Sequence, residues 1–214
     1  MTVLAREAPE TASEAQMSLP VLDEVLWEAW KAMKLPEGFH AEIVEGFIEV
    51  SPTGRSSHGM IINQLREHLV AYLADSDHAS FQEMNVMHGL TVWIPDLYIA
   101  PRDIASCFTP DGLGVEASAV ALVAEMVSPS HRDRTRDRVR KRRDYARAGI
   151  PIYVIIDDYD DLGTVTMLSD PRPDEASYAA EHRVPYGTSL TIPEGPAKGF
   201  VIGESITGPL RTRG

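Results

Sequence analysis

The feature that most constrains this chain is VALVAEMV, residues 120–127, an apolar run of strand length that carries one acid. Alternation along a strand puts Val123, Glu125 and Val127 on one face. An ionised carboxylate left alone away from water is very costly. Glu125 is therefore neutral, ion-paired, bound to a cation, or turned to water from an edge strand. The run breaks at Ser128-Pro129-Ser130 and gives way to a basic segment of helical character that extends to about Ala148, with Gly149 and then Pro151 past its end. Residues 132–147 hold nine of the twenty Lys and Arg against three Asp, a net of +6. The whole chain is at −12, so the remainder carries −18. Charge is segregated, and one basic element can meet a polyanion that the rest of the chain repels.

The surrounding pattern is mixed. Residues 1–16 read as a polar N-terminal arm, and 17–214 as a single domain. Leu22, Leu26, Trp30 and Met33 recur at helical spacing after Ser18-Leu19-Pro20. AEIVEGFIEV, residues 41–50, predicts two short strands around a turn at Glu45-Gly46. A helix is expected from about His58 to Ala74, with Ile61, Leu65, Leu69 and Leu73 on one face. Strands are expected at 81–86, 90–94, 96–100, 120–127 and 152–156, the last almost wholly apolar and hence central. Residues 101–118 read as a loop with a short turn near 104–108. Short antiparallel strands follow at 165–168, 183–186 and 189–192, and an apolar edge within 181–206 is a candidate dimer surface. The order predicts an α/β protein with a mixed sheet flanked by helices, an N-terminal helix and a C-terminal β-hairpin, not a regular βαβ alternation.

Several classes fall away. No apolar stretch reaches the length of a membrane span, and no basic-then-apolar leader opens the chain. The one cysteine, Cys107, precludes an internal disulfide, and a cytoplasmic protein is expected. There is no phosphate-cradling glycine loop, G-x-S-x-G elbow or H-E-x-x-H.

The candidate residues are few. Asp96 follows Pro95 at a strand start, and paired with Glu125 it would bind a divalent cation such as Mg2+ or Mn2+, which oxygen ligands suit. Asp133, Asp137, Lys141 and Tyr145 recur every four residues along one helical stripe. They are either i,i+4 pairs on an exposed helix or a device that points Lys141 at the metal. The arginines around them, Arg134, Arg138 and Arg142 among them, would track a phosphate backbone. The helix has little apolar surface, so most of its arginines are expected to be exposed. His58, near a helix N-terminus, and Glu45, in a turn, are the remaining candidates.

Taken in order, the hairpin EIVEGFIEVSP, His58, Pro95-Asp96, Glu125-Met-Val-Ser-Pro-Ser and Asp137-x-x-x-Lys141-x-x-x-Tyr145-Ala-Arg-Ala-Gly-Ile-Pro-x-Tyr153 resemble the Uma-type putative endonuclease family of the PD-(D/E)XK, or restriction-endonuclease-like, nuclease superfamily. The likeness spans roughly residues 20–195 and is most specific over 125–157. It implies a core sheet with flanking helices, a divalent metal and hydrolysis of phosphodiester bonds in DNA. The superfamily pattern places a lysine two residues after Glu125; here that position is Val127, and Lys141 from the following helix is the match. On this resemblance Asp96 and Glu125 hold the metal, Lys141 orients water or neutralises charge, Asp137 holds Lys141, and His58 and Glu45 complete the surroundings. A catalytically silent binding module, or an enzyme of small phosphate esters, stays open beside it.

Overall fold

A computed structural model describes residues 19–52, 56–127 and 136–212; within them, side chains are described for 22–52, 59–127 and 136–212. The expected arm at 1–16 and Arg134 lie outside these residues. His58 lies in a described helix, but its side chain is outside the described ones.

Among the described residues, two larger sheets, a two-stranded one and the helices packed on them make up the fold. The larger sheet has the strand order β11-β10-β9-β8-β6-β3, with β3 His78–Phe81, β6 Leu97–Pro101, β8 Leu122–Met126, β9 Ile152–Asp157, β10 Thr164–Arg172 and β11 Ser177–Pro185. Only β8 and β9 in it run parallel, and a parallel pair needs a crossover. The basic segment supplies it: a π-helical turn, Arg136–Arg140, leads into α3, Lys141–Arg147. The smaller sheet has the order β2-β1-β5-β4-β7, with β1 Phe39–Val44, β2 Phe47–Pro52, β4 Val86–His88, β5 Thr91–Trp93 and β7 Val115–Glu116.

Alternation decides what covers each face. Leu97, Ile99, Leu122, Ala124, Met126, Ile152, Val154 and Ile156 turn one face of the large sheet to Ile62, Leu65 and Leu69 of α2, Ser56–Tyr72, and to Leu73 just past it. Tyr98, Val123, Val127, Tyr153 and Ile155 turn the opposite face to Tyr145 and Ala146 of α3 and to Val44, Val86 and Trp93 of the small sheet. Each large side chain so buried contributes about 1.5–3 kcal/mol. Helix α1, Leu19–Ala32, closes the small sheet's other side, with Trp27 and Trp30 packed on Ile43, Met87 and Val92.

The structure departs from the expected elements in four places. The strand expected at 81–86 is interrupted, because Glu83 adopts φ +57, which a strand cannot hold. The loop at 101–118 contains β7, two residues that pair with β4. Four of the six described arginines in the crossover are not free in solvent: Arg136 is buried, and Arg138, Arg140 and Arg142 are partly covered. Buried carboxylates hold that segment in place beside the apolar contacts of Tyr145 and Ala146. The apolar residues of 181–206 do not form an exposed edge, since Leu190, Ile192, Phe200, Ile202 and Ile206 pack into the chain's own core. They do so through β12 (Leu190–Thr191), β13 (Val201–Ile202) and α4 (Glu204–Thr207). No described helix is long and apolar enough to cross a membrane.

Helix α3 ends at Gly149, whose φ of +72 turns the chain so that the Ile150 N–H reaches Tyr145 O at 3.1 Å. An added Cβ there meets nothing within 4 Å. Gly149→Ala should therefore cost only the left-handed backbone penalty, about 1–2 kcal/mol, read as a lowered thermal midpoint.

Candidate active site

Three segments distant in sequence meet on the α3 side of the large sheet. Strands β6 and β8 are antiparallel with Leu97 opposite Ala124. One step further along this register sets Asp96 opposite Glu125. Asp96 Oδ2 accepts the Met126 N–H at 2.8 Å, so its side chain takes the place of a backbone acceptor where the β6 ladder ends. Pro95 just before it has no N–H to give the ladder.

Glu125 projects into the interior and is buried. Its Oε1 accepts from Lys141 Nζ at 2.8 Å and from the Tyr145 hydroxyl at 2.6 Å. The Tyr145 ring is fixed edge-on between Trp93 and Tyr153, with centroids 5.1 and 4.9 Å away. Lys141, itself buried, also lies 2.9 Å from Glu42 Oε1, which accepts the Ile94 N–H at 2.8 Å. Its ammonium thus bridges a carboxylate from each sheet.

Arg136 secures the approach to this cluster. It donates to Asp137 Oδ1 at 2.9 Å and to Ser51 Oγ at 2.7 Å, and stands 3.9 Å from both Glu42 and Glu49. Arg140 binds Glu49 and donates to Val44 O at 2.5 Å. The Tyr153 hydroxyl donates to Asp137 O at 2.8 Å, which ties the π-helical turn to the sheet.

The electrostatics follow from burial. Desolvation pushes the Glu125 carboxyl up to about 8, helped by Asp96 and Asp137 and opposed by Lys141. Burial works against the Lys141 ammonium, but Glu125 and Glu42 outweigh it and hold the amine charged well above its ordinary range. Burial also raises Asp137, against the pull of Arg136 and Lys141. Among the described residues of the cluster, the buried carboxylates Glu42, Glu49, Glu125 and Asp137 outnumber the buried cations Arg136 and Lys141. Asp137 Oδ2 and Glu42 Oε2 are buried without a hydrogen-bond partner. A site with surplus carboxylate oxygen is one that an added divalent cation would neutralise. No three of His, Cys, Asp and Glu converge as a full ligand set among the described residues. A carboxylate pair such as Asp96 and Glu125 could hold Mg2+ only as an ion that keeps several of its waters.

The other expected residues fall elsewhere. Asp137 bonds Arg136, and it is Glu42 that touches Lys141. Glu45 sits at the β1–β2 turn with φ +47, held by Arg143 at 2.7 Å and Arg147 at 3.2 Å, and its N–H donates to Asp144. Arg138 is paired with Asp157 at 2.5 Å and Arg142 with Glu181 at 2.9 Å.

Two residues escaped the reading of the sequence. Glu42 is one. His40 is the other, half-buried on the same face of β1 and opposite Ser51, the residue that Arg136 binds. Burial keeps its imidazole neutral, with Lys141 and Arg136 acting in the same sense against Glu42 and Asp96. The available signal was hairpin arithmetic. A turn at Glu45-Gly46 pairs Glu42 with Glu49 and puts both on the Val44 face. Two acids on an inward face demand cations, and only the basic crossover has them.

Comparison with known proteins gives the family and the fold. Residues 27–202 match the model of the Uma2 family, described as "putative restriction endonuclease". The chain belongs to that family. The crystal structure of a protein described as a putative nuclease, from Anabaena variabilis, superposes with a TM-score of 0.63 at 16% identity, over 87% of this chain and 96% of that one. At that identity the likeness establishes the fold alone. No curated protein matches.

Proposed function

We propose that this Uma2 chain is a divalent-metal-dependent endonuclease that hydrolyses phosphodiester bonds in DNA. The observation that carries the proposal is the meeting of Asp96, Glu125 and Lys141 on adjoining elements, with the amine 2.8 Å from Glu125. Family membership supports the nuclease class. Asp96 and Glu125 would hold Mg2+ or Mn2+, which supplies polarisation of the scissile phosphate and a water of lowered pKa. Lys141 places a fixed positive charge where the phosphate becomes more negative as the nucleophile adds. The Tyr145 hydroxyl orients Glu125. His40, neutral and half-exposed, stands ready to accept a hydrogen bond from water at the rim. Arg138 and Arg142 would reach DNA phosphates by exchanging their Asp157 and Glu181 partners, and Arg134 completes the proposed phosphate contacts. Such contacts position a duplex without reading its sequence.

One feature favours the second reading, a silent nuclease-fold scaffold: Lys141 Nζ already occupies Glu125 Oε1, at 2.8 Å. Metal binding separates the two. A cation at Asp96 and Glu125 must displace the proton that burial keeps on Glu125 up to about pH 8. Mn2+ affinity measured by calorimetry should therefore rise about tenfold per pH unit between pH 6 and 8 and level off above, in step with nicking of supercoiled plasmid. A pH-independent affinity, or no uptake at all, rejects the metal site.

A further inference from the structure

We infer that Glu42 is a positioning residue for Lys141, setting where its ammonium stands in the site. This rests on the nuclease reading above. Glu42 comes from β1 of the small sheet, while Glu125 comes from β8 of the large one. Lys141 Nζ lies 2.9 Å from Glu42 Oε1 and 2.8 Å from Glu125 Oε1. With Glu125 as its sole partner, the amine would be drawn wholly onto the carboxylate that a metal needs. A second carboxylate across from it holds the ammonium between the two, charged and available to substrate. Glu42 is itself rigid: its Oε1 accepts the Ile94 N–H, and β1 is paired to β2 on one side and β5 on the other. Its Oε2 has no hydrogen-bond partner, although Arg136 stands 3.9 Å away. An acid kept solely to knit the two sheets together would satisfy both oxygens. Glu49, directly across the hairpin, offers the comparison: equally buried, it is engaged by Arg140 and not by Lys141.

The test uses the full chain with 15N-labelled lysine. A buried ammonium shared by two carboxylates exchanges its protons slowly and gives a distinct Nζ signal, assigned to Lys141 by its disappearance in Lys141→Arg. Glu42→Gln, which keeps shape and volume, should abolish that signal. It should also lower kcat on plasmid about 10–100-fold, the range for a group that orients a reacting residue, with KM within about twofold. Glu49→Gln should keep the signal and lose less than about threefold in kcat. Persistence of the signal in Glu42→Gln, or equal losses in the two variants, overturns the inference. If wild type and Asp96→Asn both fail to cut, the nuclease reading fails, and the ammonium signal alone then decides the role of Glu42.

Discussion

Asp96→Asn should fold as the parent does and lose Mg2+-dependent cleavage by about a thousandfold or more. The side chain's structural task is to accept the Met126 N–H, and an asparagine oxygen can still do so. What the substitution removes is one of the two anionic ligands proposed for the metal. Metal polarisation is worth several kcal/mol of transition-state stabilisation, and each 1.36 kcal/mol is tenfold in rate. The measurement is nicking of supercoiled plasmid at saturating Mg2+ beside a melting curve of the same sample. Equal rates in Asp96→Asn and parent would place the chemistry elsewhere or assign it to a contaminant.

Lys141→Met should have the largest effect on stability. Lys141 is buried between Glu42 and Glu125, and methionine matches its stem without its charge. Removing one member of a buried ion pair leaves an uncompensated charge, at about 3–5 kcal/mol. Glu125 can take up a proton and soften the loss, but Glu42 is kept ionised by Lys141 and Arg136 against its burial. The deficit should therefore shrink as pH falls and Glu42 protonates, and grow toward neutral pH. Urea titrations at pH 5 and pH 7 measure it. A variant as stable as the parent at pH 7 would mean that the two acids find cations elsewhere.

The sequence made some of this legible and concealed the rest for a definite reason. Glu125 could be placed on an inward face because Val123 and Val127 share its parity, and the structure buries all three together. The partnership of Asp96 with Glu125 depends on the register of β6 against β8, a tertiary fact that neither strand states alone. The basic segment misled most. Its thin apolar stripe suggested an exposed rod, yet Arg136, Lys141 and Asp144 are buried. Hydrophobic pattern finds elements that bury carbon; this one buries charge against Glu42, Glu49 and Glu125, which patterning does not register. Glu45 attracted notice as the acid nearest the turn, whereas the acids that matter sit three and four residues to either side, facing inward.

The π-helical turn at Arg136–Arg140 has a consequence for how this crossover tolerates change. Such a turn accommodates one residue more than α geometry would, and each residue of an α-helix advances the helix by about 100°. At unchanged length, a return to regular α geometry would swing Arg136 about 100° out of alignment with Lys141. Contact with Ser51 and contact with Glu125 would then become mutually exclusive. The five-residue spacing between the two cations is thus tied to the π-helical turn, and the turn is as strict a requirement as their identity.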